Sequence, residues 1–134
     1  DSGLGIAEED IILAGVACYK RSVKIFEEQG YDAYLMAAAF RGIGQVKELA
    51  GTATMLSVAP KIAGLLAGTD MTEDISARPV PDDVIARLSA IKEFVRAYEP
   101  DGMKPEEFIT FGAVNRTTSQ FVESGWNRMK SFSC

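Results

Sequence analysis

A regular spacing of apolar side chains predicts a long first helix. From Ala7 onward, apolar residues recur at intervals of four and three, as one face of an α-helix requires. They are Ile12, Val16, Tyr19, Val23 and Phe26. The acidic residues of the first turn suit the positive end of the helix dipole. Gly30 is the predicted end, because glycine accepts the positive φ that commonly closes a helix.

An uninterrupted apolar run after this helix predicts a buried strand. Residues 33–40 lack the alternation of a half-exposed strand, which indicates a parallel strand covered on both faces. A second short strand is predicted at 54–58, ending at Ala59-Pro60. Helices at 43–50 and 61–67 follow the two strands, and this order is typical of an α/β fold with a parallel sheet.

The chain divides into three parts of one domain. Residues 1–66 hold two helix–strand units, residues 67–81 form a polar loop with two prolines, and residues 82–134 are expected to be helical. The helices of the last part are expected at 82–98, from Pro105, and at 117–131. The final helix is expected to pack Phe121, Trp126 and Met129 inward, together with either Val122 or Gly125.

Composition places the chain among ordinary globular domains. It has 134 residues, 47% of them hydrophobic and 25% charged, with a net charge of −5. No apolar run approaches the ~20 residues of a membrane span. Lys20-Arg21 is the densest basic run, so nucleic acid is not an expected partner. The absence of a basic leader and the low cysteine content predict a cytoplasmic protein.

The chain contains no histidine, which removes Ser-His-Asp and Cys-His catalysis and histidine-ligated metals. Its two cysteines, Cys18 and Cys134, are too few for a zinc site. No carboxylate pair falls at a strand end, and Lys61 is predicted at an exposed helix start. We therefore expect no histidine-dependent catalysis, no metal site and no acid–base carboxylate pair within these residues.

The turn after the first predicted strand is the best candidate for a ligand site. Arg41 lies there, next to Gly42 and Gly44, and ligands of α/β folds bind beyond the carboxyl ends of parallel strands. The planar guanidinium of arginine binds phosphate through two parallel hydrogen bonds. Alternatively, Arg41 caps the turn or forms a surface ion pair with Asp32 or Glu48.

Two parallel strands do not complete a sheet. An eight-stranded α/β barrel takes ~250 residues, about 30 for each strand and helix. Strands left at an edge must be covered. We therefore expect that another chain supplies the rest of the fold, or that copies of this chain pair with one another.

Three segments resemble the transaldolase family. They are MAAAFRGIGQ at 36–45, ELAG at 48–51 and LSVAP at 56–60. In the family, a hydrophobic strand ends in Met-Gly-Ala-Ser-Phe-Arg, and a short helix then closes with Glu-Leu-Ala-Gly before a strand that ends in Ala-Pro or Ser-Pro. The likeness is specific over residues 19–60 and looser after residue 66.

This resemblance implies the seventh and eighth strands of a (β/α)8 barrel, followed by its carboxyl-terminal helices. The implied reaction moves a dihydroxyacetone unit between sugar phosphates through a lysine Schiff base, without metal or cofactor. Arg41 matches the arginine that binds the substrate phosphate. Ala39 stands where the family has a serine on the phosphate side, and Gly42 stands where asparagine is usual.

The Schiff-base lysine and the proton-transferring carboxylates of the family have no counterpart here, since they belong to earlier strands. We therefore expect this chain to supply the phosphate-binding side of the site and to need the amino-terminal part of the barrel for catalysis. The alternative is a truncated homologue or proteolytic fragment that binds sugar phosphate without catalysis, or that only self-associates.

Overall fold

The computed structural model describes residues 5–51 and 55–132, and it confirms the mixed α/β class. The described part is mostly helical, with two short parallel strands. Its amino-terminal elements are α1 (Glu8–Gln29), β1 (Met36–Ala37), α2 (Ile43–Leu49), β2 (Met55–Leu56) and α3 (Pro60–Leu66). The carboxyl-terminal elements are α4 (Asp82–Leu88), α5 (Lys92–Tyr98), a 3-10 helix (Pro105–Thr110), α6 (Gly112–Phe121), a π-helical turn (Val122–Trp126) and α7 (Asn127–Lys130).

Helix α1 follows the prediction from its apolar spacing. Gly30 has φ 64°, and its backbone N–H donates to the carbonyl of Glu27 at 3.3 Å. The next N–H, from Tyr31, donates to the carbonyl of Phe26 at 3.1 Å. This left-handed turn supplies donors to carbonyls that the end of the helix would otherwise leave without partners.

The two strands pair in parallel, as predicted, with Met36 opposite Met55 and Ala37 opposite Leu56. The connection between them runs through α2, which makes the segment a strand–helix–strand unit. The paired region is much shorter than the predicted 33–40. Ala39 has a positive φ of 59°, so the chain leaves the extended conformation two residues after the pairing ends. Residue 54 of the second predicted strand lies outside the described residues.

The prediction that both faces of the strands are covered is wrong for this chain. Ala37 is buried against the helices, whereas Met36 is 60% exposed and Met55 is 53% exposed. The two methionines form a pair on the opposite face of the ladder. An apolar run indicates that a strand can be buried on both faces. Among the described residues, however, other elements cover only one face of these two strands.

The hydrophobic core lies between α1, α2 and the pair α4–α5. It consists of Val16, Ala17, Ala37, Leu49, Val80, Val84, Leu88 and Phe94. Leu88 is fully buried, with 0% of its surface exposed. At roughly 25 cal/mol for each Å² removed from water, burial of one such side chain stabilises the fold by about 1.5–3 kcal/mol.

The single helix predicted over 82–98 is two helices with a turn between them. At the end of α4, the N–H and the hydroxyl of Ser89 both donate to the carbonyl of Ile85, at 2.9 and 2.7 Å. The N–H of Ile91 then donates to the carbonyl of Leu88 at 2.8 Å, which tightens the turn. The bend allows Leu88 and Phe94 to enter the same core.

A bidentate ion pair joins α4 to α1. The Nε and Nη2 atoms of Arg87 lie 2.6 and 3.1 Å from the two carboxylate oxygens of Asp10. Asp83 accepts a further bond from Arg87 at 2.8 Å. The hydrogen bond from Arg87 holds the pKa of the Asp10 carboxyl below its usual value.

The last helical segment differs from its prediction in both extent and packing. It begins at Gly112 rather than near residue 117 and contains the π-helical turn. Phe121, Trp126 and Met129 were expected to pack inward, but all three are exposed. Periodicity identifies an apolar face, but it does not show whether another element lies against that face. We call residues 112–132 the helical arm.

Candidate functional site

The turn between β1 and α2 has a constrained backbone. Ala39 has φ 59°, and it is the one residue other than glycine with positive φ in the described chain. For a residue with a Cβ, this left-handed conformation costs roughly 1–2 kcal/mol. Gly42, at the start of α2, is fully extended and needs no such strain. Residues held in sparsely populated conformations are concentrated at functional sites, so this turn is the first place to look for one.

Gln45 fixes the turn from both sides. Its Oε1 accepts a hydrogen bond from the backbone N–H of Arg41 at 2.8 Å, and its Nε2 donates to the carbonyl of Ile12 at 3.0 Å. The turn is therefore tied to α1 through one side chain. The sequence analysis did not single out Gln45. Its place in the first turn of a helix, where glutamine can reach back to an upstream N–H, is the signal that could have identified it.

The guanidinium of Arg41 is exposed and makes no hydrogen bond or ion pair within residues 5–51 and 55–132. The expected alternative partner Glu48 is occupied, because it pairs with Lys20 at 2.7 Å. Each of the other arginines between residues 5 and 111 pairs with a carboxylate; they are Arg21, Arg78, Arg87 and Arg96. Arg41 is therefore the arginine of this region whose charge is available to a ligand.

A cavity of about 360 Å³ lies between α1 and the segment from β1 to α2. Arg41, Ala39 and Gln45 line it on one side, and Val16 and Tyr19 line it on the other. Its volume falls at the lower end of the range of roughly 300–1,000 Å³ that small-molecule sites occupy.

Tyr19 packs under this turn with its hydroxyl buried and without a hydrogen-bond partner in the described chain. The ring contributes to the cavity wall, but the hydroxyl itself is not accessible from the cavity. An unsatisfied buried hydroxyl lowers stability by about 1–3 kcal/mol relative to a satisfied one. We therefore assign Tyr19 a packing role rather than a ligand contact.

Larger cavities lie along α1, and in one of them the basic side chains are already paired with carboxylates. This cavity, of about 650 Å³, is lined by Lys20, Asp74 and Arg78 among others. The Nζ of Lys20 contacts Glu48 at 2.7 Å and the carbonyl of Arg78 at 2.6 Å. Asp74 accepts bonds from the N–H and hydroxyl of Ser76. Volume alone therefore does not single out these cavities as the better site.

The other residues considered for chemistry are not brought together. Lys61 is exposed at the start of α3, as expected. Cys18 is half-buried, and burial raises the pKa of its thiol, which disfavours the reactive thiolate. Cys134 lies outside the described residues.

Among residues 5–51 and 55–132, no group of three acidic or cysteine side chains is arranged to hold a metal ion. In the same residues, no helix has the length and apolarity that crossing a bilayer requires.

Neither protein-family models, nor curated proteins, nor solved structures gave a match to this chain. The chemistry of the turn at 37–45 is therefore the main guide to function. That turn offers one unpaired guanidinium, a fixed backbone and a small adjoining cavity. Such a site can bind an anion, but it contains no acid, base or nucleophile for a reaction of its own.

Proposed function

We propose that this chain forms the last two strand–helix units of a transaldolase-like (β/α)8 barrel and binds the phosphate of the substrate through Arg41. Three sequence segments around the site resemble that family, and the parallel pairing of β1 with β2 through α2 is consistent with neighbouring barrel strands. In such barrels, ligands bind at the carboxyl ends of the strands. Arg41 follows the carboxyl end of β1.

The unpaired guanidinium of Arg41 is the observation that carries the proposal. Its backbone N–H is held by Gln45, and the preceding bend at Ala39 fixes the direction in which the chain leaves β1. Arginine binds phosphate through two parallel hydrogen bonds and keeps its charge at any physiological pH. The role of Arg41 is therefore to hold the anionic end of the substrate so that the sugar carbonyl is presented to the catalytic groups.

Ala39 leaves the proposed phosphate site without a side-chain hydrogen-bond donor at this position. The resembling family has a serine at this position, and its hydroxyl can donate to the phosphate, whereas the methyl group of alanine cannot. A hydrogen bond to a charged group contributes about 1.5–3 kcal/mol. We expect Ala39→Ser to tighten phosphate binding, provided the hydroxyl reaches the bound anion. Isothermal titration calorimetry on the two proteins measures the change directly.

In the complete barrel, the exposed pair Met36 and Met55 would face the interior, and the remaining strands would cover both open edges. Those strands would also contribute the lysine that forms the Schiff base and the carboxylates that move protons. The reaction would transfer a dihydroxyacetone unit from a ketose phosphate to an aldose phosphate. This chain would contribute substrate binding and orientation to that reaction.

A second candidate is a sugar-phosphate-binding protein without catalysis. One observation favours it: the described residues lining the cavity at Arg41 include no lysine and no carboxylate, the groups that a Schiff-base reaction requires. The two candidates share the role of Arg41. They differ in activity, which is measured as three-carbon transfer when this chain is mixed with the amino-terminal six strands of a transaldolase barrel. Activity in the mixture supports the first candidate, and binding without activity supports the second.

The direct test of the shared role is titration with fructose 6-phosphate. Arg41→Ala should weaken binding at least about tenfold, because each 1.4 kcal/mol lost corresponds to a factor of ten. Arg41→Lys should retain part of the affinity, since it keeps the charge but loses the bidentate geometry. Arg116→Ala is the matched control, because Arg116 is an exposed arginine of the helical arm. Equal affinities for wild type and Arg41→Ala would contradict the proposal.

A further inference from the structure

One side chain connects the turn at Arg41 to the first helix. Gln45 is the third residue of α2, and it is half-buried at the wall of the cavity next to Arg41. Its Oε1 accepts a hydrogen bond from the backbone N–H of Arg41 at 2.8 Å. Its Nε2 donates to the backbone carbonyl of Ile12 at 3.0 Å, across 33 residues of sequence. Gln45 therefore holds the turn after β1 against α1.

The N–H of Arg41 has no other hydrogen-bond partner in the described chain. Within residues 5–51 and 55–132, no backbone carbonyl accepts it. The N-cap residue of α2 is Gly42, which has no side chain that could hold the first turn of the helix. Loss of the Gln45 amide would therefore leave the backbone of Arg41 without the one hydrogen bond that fixes it.

The residues beside Arg41 do not replace this restraint. Gly42 follows it in an extended conformation, and glycine restricts the backbone less than any other residue. The guanidinium of Arg41 is exposed and has no partner in the described chain, so no side-chain contact holds it either. The place from which the guanidinium extends is therefore set by the backbone, and Gln45 holds that backbone.

The cavity is sensitive to the position of this one cation. Arg41 is the only charged residue among the described residues that line it. A guanidinium binds phosphate through two parallel hydrogen bonds, and this geometry is lost when the group is displaced. No second cation at the cavity wall would compensate for such a displacement among the described residues.

We propose that Gln45 is a positioning residue of the phosphate site and acts on the bound anion through Arg41. Its amide joins the N–H of Arg41 to the carbonyl of Ile12, and it thereby fixes the Arg41 backbone beside the cavity before a ligand binds. A group that is already in place loses less conformational freedom on binding, which raises affinity. This inference rests on the proposed function, because it has no consequence for binding unless Arg41 contacts the phosphate.

Direct contact between Gln45 and the ligand is the competing explanation. The amide lines the cavity, and its Nε2 carries a second N–H besides the one that Ile12 accepts. The two roles differ in their dependence on Arg41. A direct contact contributes whether or not the guanidinium is present, whereas a positioning residue contributes nothing after the guanidinium is removed.

The test is a double-mutant cycle in which binding of fructose 6-phosphate is followed by NMR, which measures weak as well as strong binding. Gln45→Met keeps the length of the side chain and removes both hydrogen bonds. With Arg41 present, it should weaken binding about three- to tenfold, a factor that corresponds to one lost neutral hydrogen bond. In the Arg41→Ala background, the same replacement should change the affinity by less than about twofold.

Gln29→Met is the matched control for this replacement. Gln29 is exposed at the end of α1, and its side chain makes no hydrogen bond in the described chain. This variant should bind fructose 6-phosphate as wild type does. Circular dichroism checks that every variant keeps its helices.

Hydrogen exchange at the backbone N–H of Arg41 reports the proposed bond itself. This N–H should exchange faster in Gln45→Met than in wild type, whereas the N–H of Leu88, at the centre of the core, should keep its protection. Equal exchange of the Arg41 N–H in the two proteins would overturn the inference, because the bond to Gln45 would then not form in solution.

The outcomes separate this inference from the proposed function on which it rests. If Arg41→Ala weakens binding but Gln45→Met does not, the positioning role is refuted and the phosphate site stands. If Arg41→Ala binds as tightly as wild type, the proposed function itself fails. An equal loss from Gln45→Met with and without Arg41 would show direct contact and would also overturn the inference. If Arg41→Ala leaves no measurable binding, the exchange experiment decides.

Discussion

Replacing Ala39 with glycine tests whether the turn at the candidate site is strained. Ala39 has φ 59° and is exposed, so deletion of its Cβ removes strain without removing buried contacts. The left-handed conformation costs alanine roughly 1–2 kcal/mol, whereas glycine adopts it freely. Glycine also gives the unfolded chain more freedom, which lowers stability by about 0.5–1 kcal/mol. The net expectation lies between no change and a stability gain of about 1.5 kcal/mol.

The matched control is Ala38→Gly at the neighbouring position. Ala38 is also exposed but does not have a positive φ, so only the entropic cost applies there. We expect that variant to lose about 0.5–1 kcal/mol, which separates the two variants by roughly 1–2 kcal/mol. For a chain of this length, 1 kcal/mol corresponds to a shift of about 3–5 °C in Tm.

Thermal unfolding followed by circular dichroism measures both variants against wild type. Our account requires Ala39→Gly to have a higher Tm than Ala38→Gly, with wild type between them or level with Ala39→Gly. If the two glycine variants lose the same amount, the turn stores no strain. The functional significance that we attach to its geometry would then lose its physical basis.

Three further predictions concern the core and the ion pair between helices. Leu88→Ala leaves a cavity at a fully buried position and should lower the free energy of unfolding by about 2–5 kcal/mol in urea titrations, whereas an unchanged midpoint would contradict the described core. Tyr19→Phe removes an unsatisfied buried hydroxyl and should leave Tm unchanged or raise it, whereas a clear fall in Tm would reveal a partner for that hydroxyl. The pKa of Asp10 is lowered by Arg87, so this ion pair stabilises the fold at neutral pH, and the contribution is lost as the pH falls below about 4. Asp10→Asn should therefore be less stable than wild type at pH 7, with a difference that shrinks in acid; a difference that is constant with pH would contradict this assignment.

The spacing of apolar residues and the positions of glycines predicted those elements that form from a short stretch of sequence. The apolar spacing of α1 and the left-handed Gly30 were predictable because each depends on a helix and its own end. The order of strands and helices predicted the parallel pair. The position of Arg41 beyond the first strand followed from the same order. That its guanidinium has no partner in the described chain emerged only from the structure, because the pairing of Glu48 with Lys20 spans 28 residues.

Other features could not be predicted from the spacing of apolar residues. The break between α4 and α5 lies within an apolar spacing that continues from Ile85 to Tyr98, and periodicity alone gives no warning of it. The left-handed Ala39 lies in a run of three alanines, and nothing in the local sequence distinguishes it from its neighbours. Exposure of the arm and of Met36 depends on which elements lie opposite, and this depends on the whole fold.

The most direct test of the central claim is an NMR titration that observes the side-chain Nε–H of Arg41. We expect this resonance to shift on addition of fructose 6-phosphate, together with the backbone N–H groups of the turn at 37–45, and to be absent from the spectrum of Arg41→Ala. Shifts confined to the arm or to the cavities along the other side of α1, with the resonances of the turn unmoved, would contradict the assignment of a phosphate site at Arg41.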